Sequence, residues 1–213
     1  MVHTRKPSRD QSIAGRLILP VLIGFLFAVV WRYDTQIYHA LYIGADRRPE
    51  IESRSWYQFL KSLGTLWPWA AIGGSLILAG TSNRNIRAGI LLFISAALAG
   101  GIAELLKPLV GRYRPEVSDG VHAYHTSGAA KLGPYGLASS HAAVAFGAAF
   151  LIFFIYPRAG IIALLLALGC AWTRLLSGAH YATDVFIGLL LGYACAFLLR
   201  PRARSSGGGM TIA

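Results

Sequence analysis

Three polar clusters interrupt an otherwise oily chain: Lys107…Arg114-Pro115, Ser139-Ser140-His141, and Arg174…His180…Asp184. An ionisable group at the centre of a membrane helix costs about 2.5–3.5 kcal/mol on insertion scales. Groups of this kind beside long apolar runs therefore call for a use, and their types are those a phosphate ester needs around it. Arginine offers a planar fork to phosphate oxygens, and lysine adds a point charge. His180 and Asp184 are four residues apart and share one face of a helix. A carboxylate so placed accepts from one ring nitrogen and leaves the other nitrogen free to attack. Serines opening a helix cap its amides, and free amides there bind anions. Each cluster alone has a plainer reading: a snorkelling lysine with a headgroup arginine, an ordinary cap, a His–Asp pair closing a helix turn. All three together favour phosphoryl chemistry.

The elements that must position these residues are membrane helices. The chain has 213 residues, 55% hydrophobic and only 14% charged, against about 25% charged in soluble domains. Its mean hydropathy is +0.52. A bilayer core of about 30 Å needs roughly 20 helical residues. Segments 13–31, 63–80, 88–106, 138–156, 159–176 and 181–199 approach that length. The expected fold is all-α, a six-span transmembrane bundle. Residues 1–12 form a basic cytoplasmic N-terminus, 13–200 the six-helix membrane domain, and 201–213 a disordered cytoplasmic tail. Arg5, Lys6, Arg9 and Arg16 precede the first apolar run, which reads as an uncleaved signal anchor. Trp67 and Trp69 fit an interfacial belt, and 51–60 a helix lying on the surface. Six spans put all three clusters on one membrane face. Arg84, Arg87, Arg158 and the tail arginines place the N- and C-termini inside and the clusters outside.

The net charge of +11 is not a nucleic-acid stripe, because the basic residues flank apolar runs; it suits anionic lipid headgroups. Cys170 and Cys195 lie inside apolar runs and read as small core residues rather than a disulfide or metal site. Gly188 and Gly192, with Ala196 four residues on, let helices approach closely. Internal packing is the first reading of that stripe and a homodimer seam the second.

The joint pattern resembles the type 2 phosphatidic acid phosphatase family, relatives of the vanadium haloperoxidases, in its integral membrane branch. Lys107, six residues, then Arg114-Pro115 fits the family's first motif without departure. Ser139-Ser140-His141 is similar to its Pro-Ser-Gly-His motif. Thr173-Arg174, His180 and Asp184 are similar to its Ser-Arg…His…Asp motif, with Gly178 two residues before the histidine. Ala138, Ser140 and Thr173 depart from the motif's proline, glycine and serine. The resemblance covers roughly 88–199. It implies that His180 is the nucleophile and forms a phosphohistidine, and that Asp184 orients it. It implies that Lys107, Arg114 and Arg174 clamp the phosphate oxygens with help from Ser139 and the Ser140 amide. His141 would protonate the leaving oxygen and then activate water. Phosphoryl transfer depends mainly on positioning and charge neutralisation. Three fixed cations would supply what Mg²⁺ supplies elsewhere, so neither metal nor cofactor is expected.

Glu104, one turn before Lys107, is expected to pair with Lys107 or Arg174 behind the site. His122 and His125 read as loop residues rather than metal ligands, and Tyr113, Tyr124 and Tyr181 as a lipid entrance. The expected activity is hydrolysis of a lipid phosphate or pyrophosphate in a bacterial inner membrane, on its periplasmic face. The expected partners are the lipid substrate and the bilayer, with no nucleic acid. A catalytically impaired lipid-binding relative and an anionic-lipid transporter are the alternatives. Phosphatidic acid, phosphatidylglycerol phosphate, undecaprenyl pyrophosphate and lipid A phosphates all fit as substrates.

Overall fold

A computed structural model describes residues 9–80, 82–125 and 133–201. Among them the regular structure is helical: α1 Arg9–Leu41, α2 Arg48–Ser53, α3 Ser55–Ser62, α4 Leu66–Leu78, α5 Asn83–Val110, α6 Ser140–Ile155, α7 Pro157–Leu176 and α8 Ala182–Leu199. Four helices are long and apolar enough to cross a membrane: Ile18–Leu41 of α1, α5, α7 and α8. α4 and α6 are apolar but shorter, at 13 and 16 residues. The N-terminal residues 1–8 and the tail from 202 onward, expected to be basic and disordered respectively, lie outside the described residues.

α6 is the hub. It carries no charged side chain after His141, and Ala142 through Ala149 are all buried. A helix apolar on every side belongs inside a bundle, and α6 packs against α5, α7 and α8 together. Small residues make that possible. A Cβ on Gly188 would stand 2.7 Å from the Ser139 carbonyl oxygen, and one on Gly192 would stand 2.6 Å from the Gly147 nitrogen. The glycine stripe of α8 is therefore occupied by α6, inside the bundle.

Helix ends are set by local chemistry close to the polar clusters. α5 stops at Gly111, whose φ of 65° is left-handed and whose N–H donates to the Lys107 carbonyl at 2.9 Å. α6 starts where the Ser139 hydroxyl accepts from the Ala142 N–H. Between them the chain runs through 111–139. Tyr113 N donates to Ala123 O at 2.9 Å and Arg114 N to Pro134 O at 3.0 Å, so this loop is pinned on both sides.

Three expectations need correction. α1 continues to Leu41, ten residues past the end of its apolar run, and so takes Asp34 out of the expected linker and into a helix. Hydropathy marks depth in the bilayer, not the end of hydrogen bonding. The single surface helix expected at 51–60 is two helices, broken at Arg54, whose ψ is 137°. Trp69 is not interfacial: it is 2% exposed and its indole N–H donates to Leu63 O at 2.7 Å, whereas Trp67 is exposed.

Candidate active site

His180 stands in the turn between α7 and α8. Gly178 makes that turn with a φ of +69°, where an L side chain is strained. The ring is 4% exposed. Its Nδ1 donates to the Gly136 carbonyl at 2.9 Å, while Asp184 Oδ2 stands 3.6 Å from the same nitrogen. The main-chain carbonyl, not the expected carboxylate, is the nearer acceptor. With the proton on Nδ1, the neutral ring keeps its lone pair on Nε2. Burial pushes His180 below the ordinary imidazole range; Asp184 works against this, and the charges of Arg114 and Lys107 add to it.

Asp184 is itself fully held. Its Oδ2 accepts the Tyr181 N–H at 2.9 Å, capping α8, and its Oδ1 accepts from Arg112 Nη1 at 2.9 Å. Its carbonyl accepts the Ser139 N–H at 3.0 Å, which ties the start of α8 to the start of α6.

Two of the cations come from helix ends and the third, Arg114, from the segment that follows α5. Lys107, in the last turn of α5, donates to Ser140 Oγ at 3.2 Å and pairs with Glu104 Oε1 at 2.7 Å. Of the two expected partners of Glu104, it takes Lys107. Arg174, in the last turn of α7, is 6% exposed and donates to the Tyr57 hydroxyl at 2.9 Å. Tyr57, buried on α3, donates in turn to the Thr173 carbonyl at 3.1 Å. Arg114 lies 3.7 Å from Glu116 Oε1, and Glu116 also pairs with Arg48 of α2. Burial alone would raise Glu52, but Arg48 and Lys61 hold it below the usual carboxylate range. The short helices α2 and α3 thus form a charged cover beside the cations.

His141 opens α6 and sits against Gly64, in the turn between α3 and α4. A Cβ on Gly64 would lie 2.5 Å from the ring's Cδ2. The charges of Arg174, Lys61 and Lys107 all act on His141, as does the His180 ring. Ser139 is buried, with its hydroxyl engaged as the α6 cap. Ser140 has an ordinary helical backbone; Asp119 is the one non-glycine of positive φ among the described residues. Serine in place of the motif glycine therefore costs no backbone strain. The peptide bond from Leu137 to Ala138 is cis.

All three clusters therefore meet at one end of the bundle. The structure adds residues that spacing did not flag: Asp34, Tyr57, Gly64, Arg112 and Gly136. Asp34 and Arg112 carried a usable signal, being ionisable groups beside membrane runs. Tyr57, Gly64 and Gly136 carried none, since their importance lies in what folds against them.

The model of the PAP2 superfamily matches residues 88–204. The chain belongs to this superfamily. Within the PAP2 segment lie both histidines, Asp184, the three cations and Arg112, whereas Asp34, Tyr57 and Gly64 precede it. Among curated relatives, a lipid A 1-phosphatase of Rhizobium etli is 37% identical over 116 residues, covering 49% of this chain and 45% of its own. The corresponding protein of Rhizobium johnstonii is 35% identical over 113 residues, 49% of this chain and 43% of its own. A lipid A 4'-phosphatase of Bacteroides thetaiotaomicron is 28% identical over 152 residues, 67% of each chain. The match thus spans less than half the length of the two Rhizobium relatives. No solved structure gives a significant match.

Proposed function

We propose that this chain is a membrane lipid phosphatase that hydrolyses a phosphate or pyrophosphate ester without a metal, through a phosphohistidine on His180. The observation that carries this reading is a buried histidine with its Nδ1 proton committed to the Gly136 carbonyl, in the field of Lys107 and Arg114. Nε2 of His180 attacks phosphorus as the ester P–O bond breaks. Lys107, Arg114 and Arg174 bind the non-bridging oxygens, with the Ser140 amide at the start of α6 and the Ser139 hydroxyl assisting. His141 gives its proton to the departing oxygen. It then takes one from the water that cleaves the P–N bond and frees phosphate. Asp184 orients His180, and Glu104 steadies Lys107. α4 and α6 complete six crossings of an inner membrane, with the site at its outer, periplasmic interface. The substrate is a phosphorylated lipid, and the similarity to a lipid A 1-phosphatase and a lipid A 4'-phosphatase supports testing lipid A phosphates first.

The test is phosphate release by the purified chain over phosphatidic acid, phosphatidylglycerol phosphate, undecaprenyl pyrophosphate and lipid A. We expect turnover in the presence of chelator, inhibition by vanadate, and a loss of more than about 10³-fold in His180→Ala. Full activity in His180→Ala, or loss of turnover on chelation, would sink the mechanism.

A further inference from the structure

Behind His180 lies a buried ionic chain that runs into a helix outside the family segment. Arg112 is 0% exposed, as are Asp34 and Asp184. Arg112 Nη1 donates to Asp184 Oδ1 at 2.9 Å and Nη2 to Asp34 Oδ2 at 2.8 Å. Thr183 knits the same groups together. Its hydroxyl accepts from Arg112 Nη1 at 2.8 Å and donates to Asp34 Oδ2, and its N–H donates to Asp34 Oδ1 at 2.9 Å. The guanidinium is sandwiched by rings, 4.0 Å from the Tyr181 centroid and 4.9 Å from that of Trp31. His122 completes the enclosure, edge-on to both rings.

Arg112 governs both neighbours of the His180 Nδ1. Its guanidinium holds Asp184, 3.6 Å from that nitrogen. Its main-chain carbonyl accepts the Gly136 N–H at 2.8 Å, and Gly136 supplies the carbonyl that receives the Nδ1 proton. A buried guanidinium is held in place by the ion pairs and hydrogen bonds its donors make. Asp34 takes Nη2 from α1, while Nε has no hydrogen-bond partner among the described residues. We infer that Asp34 and Arg112 are positioning residues for His180: the α1 carboxylate fixes Arg112, and Arg112 fixes the two acceptors that keep the His180 proton on Nδ1. α1 is thereby part of the catalytic apparatus as well as a membrane helix.

The rate consequence rests on the proposed phosphatase activity; the tautomer consequence does not. Two measurements on the full chain in detergent separate them. In histidine-selective ¹⁵N NMR, with His180 assigned by its loss in His180→Gln, the wild type should show a single Nδ1–H tautomer. Asp34→Asn should shift His180 toward a mixture of tautomers. In phosphate release, Asp34→Asn should lower kcat at least tenfold with KM within threefold of wild type. In an Asp184→Asn background the same change should cost clearly less than in the wild type, because only the route through Gly136 is left. An unchanged His180 tautomer overturns the inference, and so does a tenfold loss that persists undiminished in the Asp184→Asn background. Absence of phosphate release by the wild type counts against the phosphatase reading alone, since the NMR result stands without turnover. If Asp34→Asn gives no monodisperse protein, Thr183→Val carries the test: a shifted tautomer supports the inference and an unshifted one overturns it.

Discussion

In the proposed mechanism the His180 ring attacks in its neutral form, so the pH at which it gains a proton sets the acid limit of the reaction. A free imidazole titrates at about 6.5. Burial moves His180 below that, so the attacking form persists as the pH falls past neutrality and is lost only at the depressed value. The acid limb of kcat/KM should therefore lie below the imidazole value. Asp184 acts in the opposite direction, so Asp184→Asn should move the limb to still lower pH while slowing the reaction. A pH–rate profile of both proteins checks the two statements, and a limb at or above the imidazole value contradicts the first. At this scale the sequence was informative about residues with distinctive chemistry. Lys107, Arg114, Arg174, both histidines and Asp184 stand out as costly types in apolar surroundings, and the fold brings them to one end of the bundle. Gly136 did not stand out, because its contribution is a carbonyl that every residue has.

Among the elements, the short turn between α3 and α4 bears most directly on the site. Gly64 is the floor on which His141 rests, and a methyl group there would collide with the His141 side chain at its Cβ and at the ring's Cγ and Cδ2 alike. Gly64→Ala should displace His141 and lower kcat by about 10–100-fold, as misplacements near 1 Å do, and should also lower the melting temperature, because a clash reaching His141 Cβ is relieved only by moving the main chain. Steady-state kinetics beside a detergent melt tests this, and wild-type kcat in the variant would refute it. All six apolar runs were legible as helices. Their ends were less so, because hydropathy follows burial in lipid while a helix continues as long as its amides find partners. α1 shows the difference: its apolar run ends at Trp31, and the next ten residues stay helical and carry Asp34 and Tyr38 into the protein interior. The break between α2 and α3 was illegible for the opposite reason, since an extended Arg54 carries no strong sequence signature.

For the whole molecule, the proposal of six crossings makes a claim about sides. The segments 111–125 and 133–139 and the turn 177–181 should face one compartment, and the link between α6 and α7 the other. Cys170 and Cys195 are both buried and free, so introduced cysteines can be read against a quiet background. In intact cells, Ser118→Cys should react with a membrane-impermeant maleimide, and Arg158→Cys should react only after permeabilisation. Equal labelling of both in intact cells would contradict the arrangement. The result also bears on substrate supply. If Ser118→Cys alone is labelled in intact cells, the proposed site draws its lipid from the outer leaflet, and a lipid made on the inner side would have to cross before it is met.

The proton on His180 is assigned by a peptide carbonyl, and that has a consequence for how such a catalyst can be altered. Side-chain substitutions can perturb the Gly136 carbonyl only indirectly, since every residue brings one. What can remove it is a change in path, such as one residue inserted or deleted between Tyr135 and Ala138. A chain edited in that way would keep every letter of the three motifs and still hold its histidine in the wrong protonation pattern. Motif-based sorting would count it as intact. The instruction for this proton is written in loop length, and loop length is where natural or designed loss of function could hide from alignment.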